Sequence, residues 1–137
     1  MARSTSMDVT GGGPFIDIDG DTHLNGNSFF TEGALLRLGA PTVVTIASGV
    51  ATITTGFVAL AAESSTTDQL DTLTLAGAGE GDIVLLIADA GDTITVDDAN
   101  IDLGAATRAI GPGGCLALRF DGTSWCELFF LAGADNA

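Results

Sequence analysis

The sequence lacks the side chains that most enzyme active sites use. Its 137 residues include no lysine, no tyrosine and a single histidine, His23. A nucleophilic serine or threonine needs a base within reach, and His23 is the one candidate. It lies far along the sequence from the loop 63–71, where serines, threonines and carboxylates are concentrated. We therefore expect a protein that is not an enzyme and has no cofactor, and we interpret loop 63–71 as a hydrogen-bonded surface segment.

Positive charge is also scarce. Against 18 acidic residues the chain has four basic ones, and its formal net charge is −14. The four are Arg3, Arg37, Arg108 and Arg119. Neutralising nucleic-acid phosphates takes several clustered cations, so we expect neither nucleic acid nor an anionic membrane as a partner. Excess carboxylate keeps a protein dispersed, and it also suits a crowded exterior on which like-charged copies must not aggregate.

Long apolar runs are absent. No run approaches the ~20 residues that a transmembrane helix needs, and no apolar stretch follows residues 1–6 as a secretory signal would require. We therefore expect the chain to stay in the cytoplasm where it is made, or in a particle assembled there. The length fits one domain, and hydrophobic residues, at 46%, are sufficient to fill its core.

The only two cysteines, Cys115 and Cys126, flank a predicted hairpin turn that begins at Asp121. A two-residue turn places Cys115 opposite Leu128, and a four-residue loop places it opposite Phe130. In both registers the thiols share a sheet face without being opposite each other. Diagonal neighbours lie ~7–8 Å apart or more, which is beyond the distance that a disulfide bridges. We expect two free thiols.

What the sequence does contain is a series of short strands. From Val43 to Phe130, segments rich in β-branched residues alternate with glycine and aspartate turn signals, and no helical pattern intervenes. Residues 83–87 are continuously apolar, which predicts a central strand covered on both faces. The pattern predicts an all-β fold, in the form of a β-sandwich or jelly-roll-like module.

The first forty residues differ from this module. They begin with a polar, glycine-rich leader, and residues 15–19 then alternate apolar and acidic, as an exposed or edge strand does. Residues 28–39 are ambiguous between a helical turn and a strand. We assign residues 1–40 to a flexible leader and extended N-terminal arm, 41–131 to the β-module, and 132–137 to a polar tail.

The arm holds the one candidate metal site. Asp17, Asp19 and Asp21 alternate along the chain, and three carboxylates two residues apart can converge on a hard cation such as calcium. An EF-hand loop also needs a glutamate eleven residues after its first aspartate, and that position is Ser28. We interpret the stretch as an acidic turn at the end of an exposed strand, with calcium binding as the alternative.

Paired acids and one tryptophan are the remaining candidates. Asp97, Asp98 and Asp102 have the residue type that glycoside cleavage uses, but that chemistry needs carboxylates ~5 to 9 Å apart across a cleft, and adjacent acids in a turn are ordinary. Trp125 can stack on a sugar ring, but Phe120 and the other apolar residues of the preceding strand predict that it packs in the core. No glycine-rich phosphate loop opens a helix, so nucleotide binding is not predicted.

The order of the strand and turn signals carries a family resemblance. It runs through Ser48-Gly49-Val50-Ala51-Thr52-Ile53, Glu63-Ser64, Asp68-Gln69-Leu70-Asp71-Thr72-Leu73, Gly81-Asp82-Ile83-Val84-Leu85-Leu86, Asp92-Thr93-Ile94-Thr95-Val96 and Phe120-Asp121-Gly122-Thr123-Ser124-Trp125-Cys126-Glu127-Leu128. This series resembles a β-sandwich module of tailed-bacteriophage virion proteins, found in capsid decoration (cement) proteins, head fibres and tail fibres. The resemblance covers residues 43–130, and the first forty residues do not share it.

The resemblance implies a structural role on a virus particle. A short chain with an extended N-terminal arm is similar to a capsid decoration protein, and such proteins sit as homotrimers on the outer capsid surface, bridging neighbouring capsomers of the major capsid protein. The acidity of the chain fits an outward position, because DNA fills the capsid interior. The alternative is a receptor- or glycan-binding module of a phage tail or head fibre.

Seven apolar residues of the arm are the predicted contacts. The apolar residues of segment 15–19 are expected to add as a strand to an edge of a capsid-protein sheet. The apolar residues of segment 28–39 are expected to anchor a subunit or capsid interface, with ordinary core packing as the alternative. The first set is Phe15, Ile16 and Ile18, and the second is Phe29, Phe30, Leu35 and Leu36.

Overall fold

The computed structural model describes residues 38–134. Every strand in this range belongs to one compact unit of the chain, Arg37–Ala137. The described residues form eleven strands and no helix, which confirms the all-β prediction. The strands are β1 (Thr42–Thr45), β2 (Val50–Ile53), β3 (Phe57–Ala61), β4 (Thr67–Leu70), β5 (Thr72–Leu75), β6 (Ile83–Ala88), β7 (Thr93–Asp97), β8 (Ile101–Asp102), β9 (Thr107–Ile110), β10 (Cys115–Phe120) and β11 (Trp125–Leu131).

The strands form three sheets in a solenoid-like arrangement. The sheets have the orders β1-β3-β6-β10-β11-β8, β2-β5 and β4-β7-β9. The chain passes from sheet to sheet, so that each return places a strand parallel to an earlier one: β3 beside β1, β6 beside β3, β5 beside β2 and β7 beside β4. Strands β9 and β10 then pair antiparallel to β7 and β6. These pairings show stacked coils and do not establish the predicted sandwich or jelly roll.

All three sheets direct apolar side chains into one core. Because side chains alternate along a strand, every second residue points inward: Val84 and Leu86 do so on β6, and Ile94 and Val96 on β7. Trp125 is 1% exposed and lies 5.0 Å from the Phe120 ring, centroid to centroid. The prediction that Trp125 packs in the core with the β10 residues is confirmed.

The last two long strands form the predicted hairpin. Phe120 pairs with Trp125, so the loop has four residues. The Asp121 carboxylate stabilises it by accepting hydrogen bonds from the backbone N–H groups of Thr123 and Ser124. A β-bulge beside Ala117 shifts the rest of the register, and Cys115 therefore pairs with Leu131 instead of Phe130. The bulge inserts one extra residue into β11. Both cysteines are free thiols.

One side chain completes the two-stranded sheet. The Asn100 amide oxygen accepts a hydrogen bond from Leu73 N (3.0 Å), and its Nδ2 donates to Leu73 O (2.8 Å). Leu73 is 1% exposed, so its backbone groups have little access to water. Asn100 therefore occupies the place of a neighbouring strand at the open edge of β5 and satisfies buried backbone groups.

The end of the described chain folds back on a turn. Gly111 N donates to Ala132 O, and Ala134 N donates to Pro112 O, both at 2.8 Å. A Cβ atom on Gly114 would clash with the Ala132 carbonyl. The close approach of two backbones thus requires glycine at this corner.

Candidate functional site

The predicted contacts of the N-terminal arm lie outside the described residues. This holds for all seven apolar residues and for the acidic stretch, Phe15, Ile16, Asp17, Ile18, Asp19, Asp21, Phe29, Phe30, Leu35 and Leu36. They stay predictions. A candidate site must therefore be built from residues 38–134.

The most distinctive surface in that range is one face of the six-stranded sheet. On each strand of this sheet, the residues next to the core residues point away from the core. On β3, for example, Val58 and Leu60 join the core cluster, and Phe57 and Ala59 alternate with them. We call the resulting set the outer sheet face. Its members are Val43, Phe57, Ala59, Ile83, Leu85, Ile87, Cys115, Ala117, Phe129 and Leu131.

Strand pairing arranges most of these side chains in two rows across the sheet. One row runs Val43, Ala59, Ile87, Cys115 and Leu131. The other runs Phe57, Leu85, Ala117 and Phe129. The rows cross five neighbouring strands, so the apolar surface is continuous.

The outer sheet face has small residues near its middle and large exposed ones toward its border. Ala59 and Ala117 are 3% and 2% exposed, although neither belongs to the core cluster, because larger neighbours surround them. Ile83 is 62% exposed and Phe129 56%. Apolar side chains as exposed as these, and grouped on one face, are typical of interaction surfaces.

The charge of this face is unlike that of the chain as a whole. None of its ten members is acidic, although the chain has 18 acidic residues. The next row along the sheet contains Ile83, Arg119, Cys126 and, on the edge strand β8, the exposed Asp102. Arg119 forms no ion pair with any described residue, whereas Arg108 is paired with Glu127. Among residues 38–134, Arg119 thus borders an apolar face free of carboxylates and forms no salt bridge there, although its charge acts on nearby Asp121.

A small polar cluster lies at the same border. Ligand atoms of Asp102, Asp121 and Cys126 lie within 4.8 Å of one another. Loss of hydration, and then the hydrogen bond to Asp121, raise the pKa of the Cys126 thiol. The backbone N–H of Ser124, followed by that of Thr123, lowers the pKa of Asp121. A metal would have to displace a proton from a thiol that these groups keep protonated, so the cluster is best described as a hydrogen-bonded group.

A cavity of about 390 Å³ lies beside the hairpin. Trp125 and Phe120 form part of its wall, and Thr52 and Thr123 contribute hydroxyl groups. The Asn100 amide also lines it, but both of its polar atoms are already bonded to β5. The cavity therefore offers apolar contact and few free hydrogen-bonding groups, and Trp125, at 1% exposure, presents little surface to a ligand.

A second cavity, of about 280 Å³, lies at the corner where the chain folds back. Thr93 and Ala109 line it together with Gly111 and residues 132–134. The buried Thr93 hydroxyl has no hydrogen-bond partner among residues 38–134. Since this hydroxyl is the only polar side-chain group in the lining, the cavity does not define the chemistry of a ligand.

Carboxylate groups accept several of the hydrogen bonds that hold the polar segment 63–71 in place. Ser48 N donates to Glu63 (3.3 Å), and Glu63 N donates to Asp68 (2.7 Å). Gln69 Nε2 bridges the carboxylates of Asp71 and Asp97. Residues 63–66 thus form the predicted hydrogen-bonded surface segment, but Thr67–Leu70 form β4 and Leu70 is 0% exposed, so for these residues the prediction of a loop is wrong.

The sequence did not predict the outer sheet face. Residues 83–87 were expected to be covered on both faces, and this part of the prediction is wrong, because Ile83 is exposed and Leu85 and Ile87 are only partly buried. The strand β6 is nevertheless central in its sheet. The available signal was a strand that is apolar on both faces within residues 43–130, where no helical pattern is available to cover the second face.

Comparisons with known proteins leave the family open. No protein-family model matches the chain, and no curated protein matches it. Within residues 38–134, no helix is long and apolar enough to cross a membrane. The physical argument for function therefore depends on the outer sheet face and its border.

Proposed function

We propose that this chain is a non-enzymatic virion structural protein, a capsid decoration (cement) protein that binds the outer capsid surface. The observation that carries the proposal is the outer sheet face, which is apolar and free of carboxylates on a chain of net charge −14. Such a surface favours adhesion to another protein over binding of a small charged ligand. The resemblance of residues 43–130 to phage virion modules supplies the setting. A β-sandwich or jelly roll stays a prediction that belongs to the same resemblance.

The mechanism would be stabilisation by linkage. A protein that binds across capsomer joints adds binding free energy to the closed shell and none to separated subunits, so it shifts the equilibrium toward the shell. Homotrimers that engage several capsomers add multivalency, and modest contacts per copy then give firm attachment. In this proposal the partners are the major capsid protein and further copies of the chain. The arm residues Phe15, Ile16 and Ile18 add a strand to the capsid protein.

A second candidate is a receptor- or glycan-binding module of a tail or head fibre. Its candidate site is the cavity beside the hairpin, where Phe120 and the Thr123 hydroxyl are the groups that a sugar could contact, since Trp125 is only 1% exposed. A glycan array separates the two candidates. Binding to host-surface sugars that is lost on Thr123→Trp, which would fill the cavity, favours the fibre module.

The test of the leading proposal is direct binding to capsids. Purified chain is mixed with expanded capsids that lack it, and the capsids are sedimented. Saturable co-sedimentation at a fixed number of copies per capsomer, with density on the capsid exterior in electron micrographs, is the expected result. Chain that stays in the supernatant at all concentrations, or that binds only tail structures, would refute the capsid role.

A further inference from the structure

We infer that the outer sheet face is the surface through which copies of this chain bind one another, packed around an axis parallel to the strands. The proposed function includes self-association, and this inference specifies the surface through which it occurs. It depends on the proposed function only for the expected number of copies, three. It needs no capsid for its test. The occupant of the face is thus a further copy of the same chain.

The first argument is electrostatic. Two copies that each carry a net charge of −14 repel over most of their surface, and the repulsion is least where both surfaces lack carboxylates. The ten members of the outer sheet face meet this condition. Apolar contact between copies is therefore least opposed at this face.

The second argument is the match of charges in the bordering row. Strand pairing places Arg119, Cys126 and Asp102 at one level across β10, β11 and β8. Rotation about an axis parallel to the strands does not change the height of a residue along that axis. It therefore places Arg119 of one copy at the same height as the exposed Asp102 on the edge strand of the next copy. The arginine has no ion pair within residues 38–134, and a neighbouring copy would supply one.

The shape and the area of the outer sheet face also bear on contact between copies. The small, buried Ala117 lies directly opposite Phe129, which is 56% exposed, so the face combines low and projecting side chains that a second copy can pack against. With strands ~4.8 Å apart and same-side residues ~6.7 Å apart along each strand, the ten members of the face cover roughly 320 Å² in projection. That lies within the range of apolar patches on soluble monomers, about 300–600 Å², and below the ~800 Å² per partner of a stable complex, so residues around the face must contribute to the contact as well.

The test is the mass of the full chain in solution by sedimentation equilibrium. We expect a multiple of the 13.7 kDa chain mass, with three copies as the number that the resemblance implies. Val43→Glu buries a charge in the contact and should weaken association about a hundredfold. Val50→Glu is the matched control, because Val50 is also an exposed valine (37%) but lies on β2, off the outer sheet face. Circular dichroism should show that both variants stay folded.

Charge reversal tests the orientation of the copies. Arg119→Asp and Asp102→Arg should each weaken association, and the double variant should restore it, because the pair is re-formed with its signs exchanged. Failure of the double variant to recover would refute the parallel axis. Equal effects of Val43→Glu and Val50→Glu would refute the face itself.

The alternative occupants give distinct results. A wild-type chain that is monomeric at high concentration would overturn the inference, and protection of the Cys115 thiol from maleimide in that monomer would assign the face to residues 1–36. Oligomers that do not bind capsids would refute the proposed function and leave this inference intact. Monomers that bind capsids through Val43 and Phe129 would do the reverse.

Discussion

Arg108 and Glu127 form a bidentate ion pair that joins two of the three sheets. Arg108 Nε donates to Glu127 Oε2 at 3.0 Å and Nη2 donates to Oε1 at 2.8 Å, linking β9 to β11. The same carboxylate accepts Gly104 N (3.0 Å), and the guanidinium lies 4.9 Å from the centre of the Phe130 ring. This pair is the only described salt bridge in a strongly acidic chain, so its loss should be measurable.

The pair predicts a specific acid sensitivity. The hydrogen bond from Arg108, the largest cause, holds the pKa of Glu127 below its ordinary value. Because the folded pKa is depressed, the stabilisation is fully present above the unfolded pKa, about 4.3, and it is lost as pH falls through the folded pKa. Glu127→Gln should therefore be less stable than wild type at pH 7, with a difference that shrinks in acid.

Urea denaturation between pH 7 and pH 3 measures this effect. Asp98→Asn is the matched control, since Asp98 is an exposed carboxylate in the turn before β8 and has no hydrogen bond within the described range. Its removal should change the urea midpoint little at any pH. A Glu127→Gln midpoint that runs parallel to wild type over the whole pH range would contradict the assignment.

Asn100→Ala should lower the free energy of unfolding by more than substitutions in turns usually do. It leaves the N–H and C=O of Leu73 without partners, and each buried unsatisfied group costs about 1–3 kcal/mol. Asn100→Asp keeps an acceptor for Leu73 N and loses the donor to Leu73 O, so at least one group stays unpaired. Ser64→Ala, which removes an exposed hydroxyl group on a surface segment, should stay within about 0.5 kcal/mol of wild type. Equal unfolding free energies for Asn100→Ala and Ser64→Ala would disprove the role of Asn100 as a substitute strand.

Gly49→Ala and Gly77→Ala separate backbone strain from crowding. Both glycines have positive φ, +79° and +76°, a conformation that costs alanine about 1 kcal/mol or more. A Cβ on Gly49 would also meet the Asp71 carboxylate, whereas nothing lies within 4 Å of one on Gly77. We expect Gly49→Ala to lower the thermal midpoint more than Gly77→Ala does. The reverse order would show that the Ser48–Gly49 turn tolerates this crowding.

Deleting residues 1–30 tests the predicted arm. If Phe15, Ile16 and Ile18 add a strand to the capsid protein, the truncated chain should fold but fail to sediment with capsids. Replacing these three residues with serine in the full chain is the sharper variant, because it keeps the length and charge of the arm. Undiminished attachment of both variants would transfer the capsid contact to residues 38–134.

The elements that were predictable from the sequence are those with local causes. The strand period, a hairpin turn that begins at Asp121 and the burial of Trp125 follow from side-chain alternation and turn chemistry. Whether that turn has two or four residues was open until the pairing of Phe120 with Trp125 was known. The pairing of β3 with β1 and β6 is a different matter. A strand pattern does not specify a partner 16 or 28 residues away, so parallel stacking could not be derived.

The candidate site was less predictable for related reasons. The outer sheet face is assembled from five strands, and its rows exist only once their register is fixed. The bulge beside Ala117 places Leu131 opposite Cys115, and no glycine or other turn residue in β11 indicates a bulge there. The side chain of Asn100 completes a sheet by bonding to Leu73, 27 residues earlier, and a local sequence pattern does not specify such a partner. Long-range pairing decided each of these features.

The central claim is that this chain works by adhesion and stabilises a shell. Scanning calorimetry of purified capsids, with and without saturating chain, measures that effect most directly. The account predicts that bound chain raises the shell's melting temperature in a concentration-dependent way, as ligand linkage requires, and that Val50→Glu chain does the same. Capsids that melt at the same temperature at every chain concentration would contradict it.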